Sequence, residues 1–172
     1  MKVDKNALTL VELLVGVALL SMLFIAVAPM MNIGEISTSR DLEKIRLHAD
    51  LRQLIHQITR DVRQTTAQEI NNNSPTTSHI RFRIYTDYNA TSQTPVWSSG
   101  YIEYNYTSGN QTLIRSDGNT NITMPYNYIT NAPFVITSLS NSTLVVNMSA
   151  QRSFRNSNVT SNLTTEIKIR NQ

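Results

Sequence analysis

Residues 13–31 carry no charge, and these nineteen residues would make a helix roughly 28 Å long, close to the thickness of a bilayer's hydrocarbon core. A run of that length and composition can cross a membrane, and it sets the plan for the rest of the chain. Lys2 and Lys5 precede it. By the positive-inside rule they hold the N-terminus in the cytoplasm and send the residues after Asn32 outward. The remainder of a 172-residue chain has room for one small domain and hardly for two.

The composition sharpens this plan. Hydrophobic residues make up 40% of the chain, yet they crowd into the first thirty or so positions, while the rest is rich in Asn, Thr and Ser. The net charge of +3, from 15 basic and 12 acidic residues, is too thin and dispersed to mark a nucleic-acid-binding protein. There is no cysteine, which excludes disulfides, thiolate metal sites and cysteine nucleophiles. Packing and hydrogen bonds alone must hold the outer domain.

Leu51, Leu54, Ile55, Ile58 and Val62 recur at helical spacing, with Arg52, Gln53, His56, Gln57, Arg60 and Arg63 on the other faces. Leu42, Ile45 and Ala49 fall on a similar stripe. One helix is therefore expected from about Leu8 to about Glu69, interrupted or kinked at Pro29 and Gly34, with its amphipathic part over 39–69. The NNNSPTTS run at 71–78 ends it. Short runs of β-branched and aromatic residues at 80–85, 100–106, 112–115, 134–138, 143–148 and 163–169 read as strands. SGN at 108–110 and SDGN at 116–119 read as hairpin turns, and 150–161 as a longer polar loop. The alternation of Ile80, Phe82 and Ile84 with Arg81, Arg83 and Tyr85 predicts one sheet face that covers the helix stripe. The expected fold is α+β: a long N-terminal helix packed on an antiparallel sheet of about four to six strands spanning 80–170.

The helix begins ALTLVELLV, with Glu12 as the sole carboxylate among apolar neighbours. Burying such a charge costs several kcal/mol unless it is paired. This start resembles the type IV pilin and pseudopilin family, whose precursors carry a short basic leader, a small residue at the cut and then a pattern like FTLIELLV. The resemblance implies that residues 1–7 are a leader, that a prepilin peptidase cuts between Ala7 and Leu8, and that the new amino group of Leu8 is methylated. The family usually has Gly before the cut and Phe after it, so Ala7 and Leu8 depart from its pattern. It implies a role for Glu12 in assembly, neutralising the N-terminal ammonium of a neighbouring subunit. Pro29 falls where many pilins carry a helix-loosening proline. Shorter similarities, in LRQLIHQITRDVRQ at 51–64, YIEYNYTSGNQTLIR at 101–115 and TTEIKIRN at 164–171, resemble the J-type minor pseudopilins and PilW-like minor pilins.

On this resemblance residues 8–33 form a transmembrane and filament-core helix, and 34–172 an extracytoplasmic domain. The chain would wait in the cytoplasmic membrane as a single-pass protein and then join an extracytoplasmic filament through other major and minor pilins. Other readings remain open at this stage. Ala26, Val27 and Ala28 match a signal-peptidase site, although Pro29 comes directly after them. A plain signal anchor would make Glu12 accidental. Trp97, Tyr101, Tyr104, Tyr106, Tyr126 and Tyr128 could form an adhesin or DNA-receptor surface, but strand tyrosines are normally half-buried sheet residues. No enzyme, cofactor or metal site is expected. HExxH, GxSxG and glycine-rich phosphate loops are absent. His48, His56, Asp50, Asp61 and Glu69 read as a solvated helix face, and Asp117, Gly118 and Asn119 as a turn rather than a calcium loop.

Overall fold

The computed structural model describes residues 10–118, 122–135, 142–155 and 157–170. The chain divides into two units between Leu42 and Glu43. Helix α1, Leu10–Val62, runs without interruption through Pro29 and Gly34. Within it, residues 10–42 contain no buried side chain. Its apolar run makes α1 the one described helix long and apolar enough to cross a membrane.

From Glu43 onward α1 is the spine of a folded unit. Its buried side chains are Leu47, Leu51, Leu54, Ile55, Ile58 and Val62, together with Asp61, the spacing that the sequence pattern predicts over 51–62. Leu42, Ile45 and Ala49 do not extend that stripe, because all three are exposed and Leu47 occupies the core-facing position instead. The helix also stops at Val62 rather than near Glu69. Thr66 turns to extended backbone, and its hydroxyl accepts from the Glu69 amide to cap a new short helix, α2, Ala67–Asn72.

Two antiparallel sheets complete the unit, where the sequence pattern predicts a single one. The first has the order β1 (His79–Asn89), β2 (Thr94–Thr107), β3 (Thr112–Asp117) and β4 (Ile122–Tyr126); the second has β5 (Phe134–Val135), β6 (Thr143–Phe154) and β7 (Ser157–Lys168). Every expected strand has a counterpart, although residues 136–138 of the fourth lie outside the described residues, and β4 is an addition to them. Residues 150–154 and 157–161 are strand rather than loop: β6 and β7 pair in continuous register from Thr143↔Lys168 to Phe154↔Ser157. Arg155 takes the left-handed conformation at the tip, with φ 42°. Between β2 and β3 the left-handed residue is Gln111 at φ 51°, whereas Gly109 has no positive φ.

Ile80, Phe82, Ile102, Tyr104 and Leu113 of the first sheet share one buried cluster with Phe134, Leu144, Val146, Met148, Val159 and Ile167 of the second and with the α1 stripe. Tyr104 and Phe134 meet edge to face across the two sheets, 6.3 Å between ring centres. Main-chain bonds stitch the same junction, from the Phe134 amide to the Thr77 carbonyl and from the Ile129 amide to the Gln111 carbonyl.

The phase of the helix is testable. Ile58 is fully buried and Ile45 is 65% exposed. In chemical denaturation of the whole chain in micelles, Ile58→Ala should destabilise by about 2–5 kcal/mol and Ile45→Ala by no more than about 0.5 kcal/mol. Equal losses would place the core face wrongly.

Candidate functional site

Within residues 10–42, Glu12 sits in the first described turn of α1. No other ionisable residue occurs until Glu35. The surrounding apolar side chains are largely exposed, with Leu10 at 76% and Leu14 at 60%. Glu12, Leu13, Gly16, Val17, Leu20 and Ser21 line a shallow groove along one helix face. A side-chain carbon at Gly16 would meet nothing within 4 Å, so this groove can admit another backbone closely. The hydroxyl of Ser21 donates to the Val17 carbonyl at 2.8 Å, and that of Thr38 to the Gly34 carbonyl at 2.9 Å, so both are satisfied inside the helix without water. Pro29 has no N–H to donate to the turn before it. Ala7 and Leu8 lie outside the described residues.

In the second unit, two carboxylates that the sequence pattern puts on a solvated face are buried instead. Asp61, 3% exposed, accepts from Tyr104 Oη at 2.6 Å, Arg115 Nε at 2.8 Å and Gln57 Nε2 at 3.1 Å. Tyr104 and Arg115 are direct cross-strand partners on β2 and β3, so both reach the same carboxylate from the sheet's inner face. Burial, the largest influence on Arg115, works against its charge, but the hydrogen bond and charge of Asp61 outweigh it and raise its pKa. Burial, then the adjacent Asp61, drive the Tyr104 hydroxyl far above its ordinary pKa. Glu69, 5% exposed, takes two bonds from Arg83 on β1, at 2.8 and 3.2 Å.

The other candidates are likewise engaged in holding elements together. His48 meets Ser161 Oγ at 3.0 Å and His79 meets Glu103 at 3.0 Å, while His56 stays exposed. Asp117 lies 3.7 Å from Arg115, and Asn119 falls outside the described residues. A cavity of about 230 Å³ lies between α1 and the strands, lined by Asp50, Leu54, Tyr128 and Arg152 among others. Arg152 is held there by Glu43 and stacks on Tyr128, 4.3 Å from its ring centre. Of the aromatic residues singled out from the sequence, Tyr104 is core, Tyr106 and Tyr126 are partly buried, and Tyr128 is 42% exposed.

The sequence signal for the buried acids is present but ambiguous. Asp61 lies between Ile58 and Val62 on the apolar stripe, yet nothing local announces that Arg115, fifty-four residues on, meets it. Compared with known proteins, the chain matches no family model, no curated protein and no solved structure.

Two measurements probe the buried pair. Asp61→Asn, which strands the Arg115 charge, should lower unfolding free energy by about 3–5 kcal/mol, whereas Asp61→Leu with Arg115→Met should recover most of it. Because Tyr104 holds its proton more tightly folded than unfolded, its contribution is intact below its ordinary pKa of 10.0 and is lost as pH rises beyond it. Stability should then fall by up to about 1.4 kcal/mol per pH unit from this residue. Tyr104→Phe should flatten that decline, leaving the part due to Tyr106 and Tyr126, which burial also raises.

Proposed function

We propose that the chain is a minor pilin or pseudopilin, a subunit that starts or caps a filament of the type IV pilus, type II secretion or competence class. One observation carries this reading. A single helix, Leu10–Val62, presents a wholly exposed apolar run headed by Glu12 and, after Glu43, becomes the buried spine of an α+β unit. An anchor alone needs no carboxylate at that place, and a carboxylate in hydrocarbon is expensive unless a cation meets it. In the proposed assembly the cation is the N-terminal ammonium of a neighbouring subunit, freed by a prepilin peptidase that cuts between Ala7 and Leu8 and methylates Leu8.

The groove at Glu12, Gly16 and Leu20 supports the same reading, since helices associate in apolar surroundings where small residues let backbones approach. Pro29 loosens the helix by one hydrogen bond, which suits a segment that leaves the bilayer to pack among other helices. Before assembly the subunit would rest in the cytoplasmic membrane with its N-terminus inside. Its partners are then the peptidase and other pilins. The second unit, whose buried acids are each neutralised by arginine, serves as the displayed domain.

The decisive experiment is intact-mass and N-terminal analysis of the chain expressed with and without a prepilin peptidase. The expected product is a chain beginning at methylated Leu8, formed only with the peptidase. Glu12→Gln should leave that processing and domain stability unchanged but abolish incorporation into filaments. Cleavage after Ala28, or none at all, would replace this proposal with a secreted or simply anchored domain.

A further inference from the structure

Where α1 gives way to α2, a second polar constellation lies apart from the Glu12 groove. Arg63, Thr65 and Thr66, from the link between the two helices, line a pocket of about 180 Å³ with Tyr85 of β1 and Arg170 beyond β7. The parallel bridge between Thr66 and Arg170 fixes two of its walls together. The Tyr85 amide, bonded to the Gln64 carbonyl at 2.8 Å, fixes the third.

Three features of the pocket point to an anion. Arg63 and Arg170 are exposed and share it, and neither forms an ion pair with an Asp or Glu among the described residues. No described carboxylate lines it. Thr65 is 1% exposed, yet its hydroxyl has no hydrogen-bond partner among the described residues. A buried hydroxyl left unsatisfied is costly, and two guanidinium groups on one small pocket repel each other. An oxyanion answers both, because guanidinium matches phosphate bidentately and the hydroxyl can donate the remaining bond. Arg152 makes the contrast, since Glu43 already neutralises it.

The surface leading away from the pocket suggests what carries the anion. Tyr85 stands edge to face with Trp97 at 6.2 Å, and Arg170 lies 5.9 Å from the Tyr85 ring centre. Arg83 is 6.0 Å from Trp97 and 5.7 Å from Tyr101, and Arg81 stacks on Tyr101 at 3.9 Å. Arg81, Tyr85, Trp97 and Tyr101 thus share the outer face of β1 and β2 beside Arg170, with Arg83 already held by Glu69 and Glu103 opposite Arg81, and these rings and cations suit flat bases joined by phosphates.

We propose that Arg63, Thr65 and Arg170 form a phosphate-binding site, and that the arginine and aromatic run beside it favours a phosphate carried by single-stranded nucleic acid over free phosphate. This inference is independent of the filament reading.

Trp97, the single tryptophan of the chain, reports on the site through Tyr85. Its fluorescence is followed for the whole chain in a non-ionic, phosphate-free detergent, titrated with inorganic phosphate, a short oligothymidylate, or sodium chloride at matched ionic strength. The expected result is a saturable change with phosphate, absent with chloride, and tighter binding of the oligothymidylate by about tenfold or more. Arg63→Gln with Arg170→Gln should abolish both, and Thr65→Val should weaken both by about tenfold, the scale of one charge-assisted hydrogen bond. Unchanged circular dichroism of these variants keeps the comparison valid. Oligothymidylate binding no tighter than phosphate would overturn the nucleic-acid assignment and give the site to small phosphorylated molecules. No saturable response, or one that survives the double arginine substitution, would overturn the site altogether.

Discussion

The alignment of helix and strands in the folded unit turns on the carboxylate of Asp61. It sits one residue before the end of α1 and is met by two groups, Tyr104 and Arg115, that face each other across adjacent strands. The apolar contacts around it are tolerant, since leucine, isoleucine and methionine side chains can slide and repack at modest cost. The polar contact is not. A one-residue slip of β3 against β2 would turn Arg115 to the opposite face and strand a charge in the core. A slip of the helix by one residue would rotate Asp61 away from both partners. The apolar stripe supplies adhesion, and this buried group specifies the alignment.

The same helix carries two different kinds of surface. Residues 13–31 have nothing to offer water, and their hydroxyl, Ser21, is satisfied internally. From Leu47 onward only one face is apolar, and the domain's own strands cover it. Between these regimes lies a charged stretch containing Arg40, Asp41, Glu43, Lys44 and Arg46. That stretch can belong neither to hydrocarbon nor to a core, and the division between the two units falls within it.

How much of this is legible in the sequence depends on the range of the interactions. The apolar run, the stripe from Leu51 to Val62 and the alternation around Phe82 are local patterns, and local patterns survive translation into structure. The end of α1 at Val62 is hidden because residues 63–69 contain no proline or glycine. What stops the helix is Thr66, whose hydroxyl caps α2 in preference to continuing α1. The β6 and β7 hairpin is hidden in a run of Ser, Asn, Thr and Gln, residues that signal turns singly but alternate here with Val159, Ser161 and Leu163. The burial of Asp61 and Glu69, and the pocket shared by Arg63 and Arg170, rest on partners far apart in the chain, which no local pattern encodes.

The parallel bridge between Thr66 and Arg170 has a thermodynamic consequence of its own. The β6 and β7 hairpin gains twelve residue pairs for closing one tight turn, whereas this bridge joins positions 104 residues apart. Loop-closure entropy grows with the logarithm of that separation, so the bridge is favourable chiefly once the strands between are already in place. It acts as a clasp between the link that follows α1 and the last described residue of the domain. An anion gripped by Arg63 on one side and Arg170 on the other would span the clasp, and occupancy of the pocket would be felt as resistance to fraying where β7 leaves the sheet.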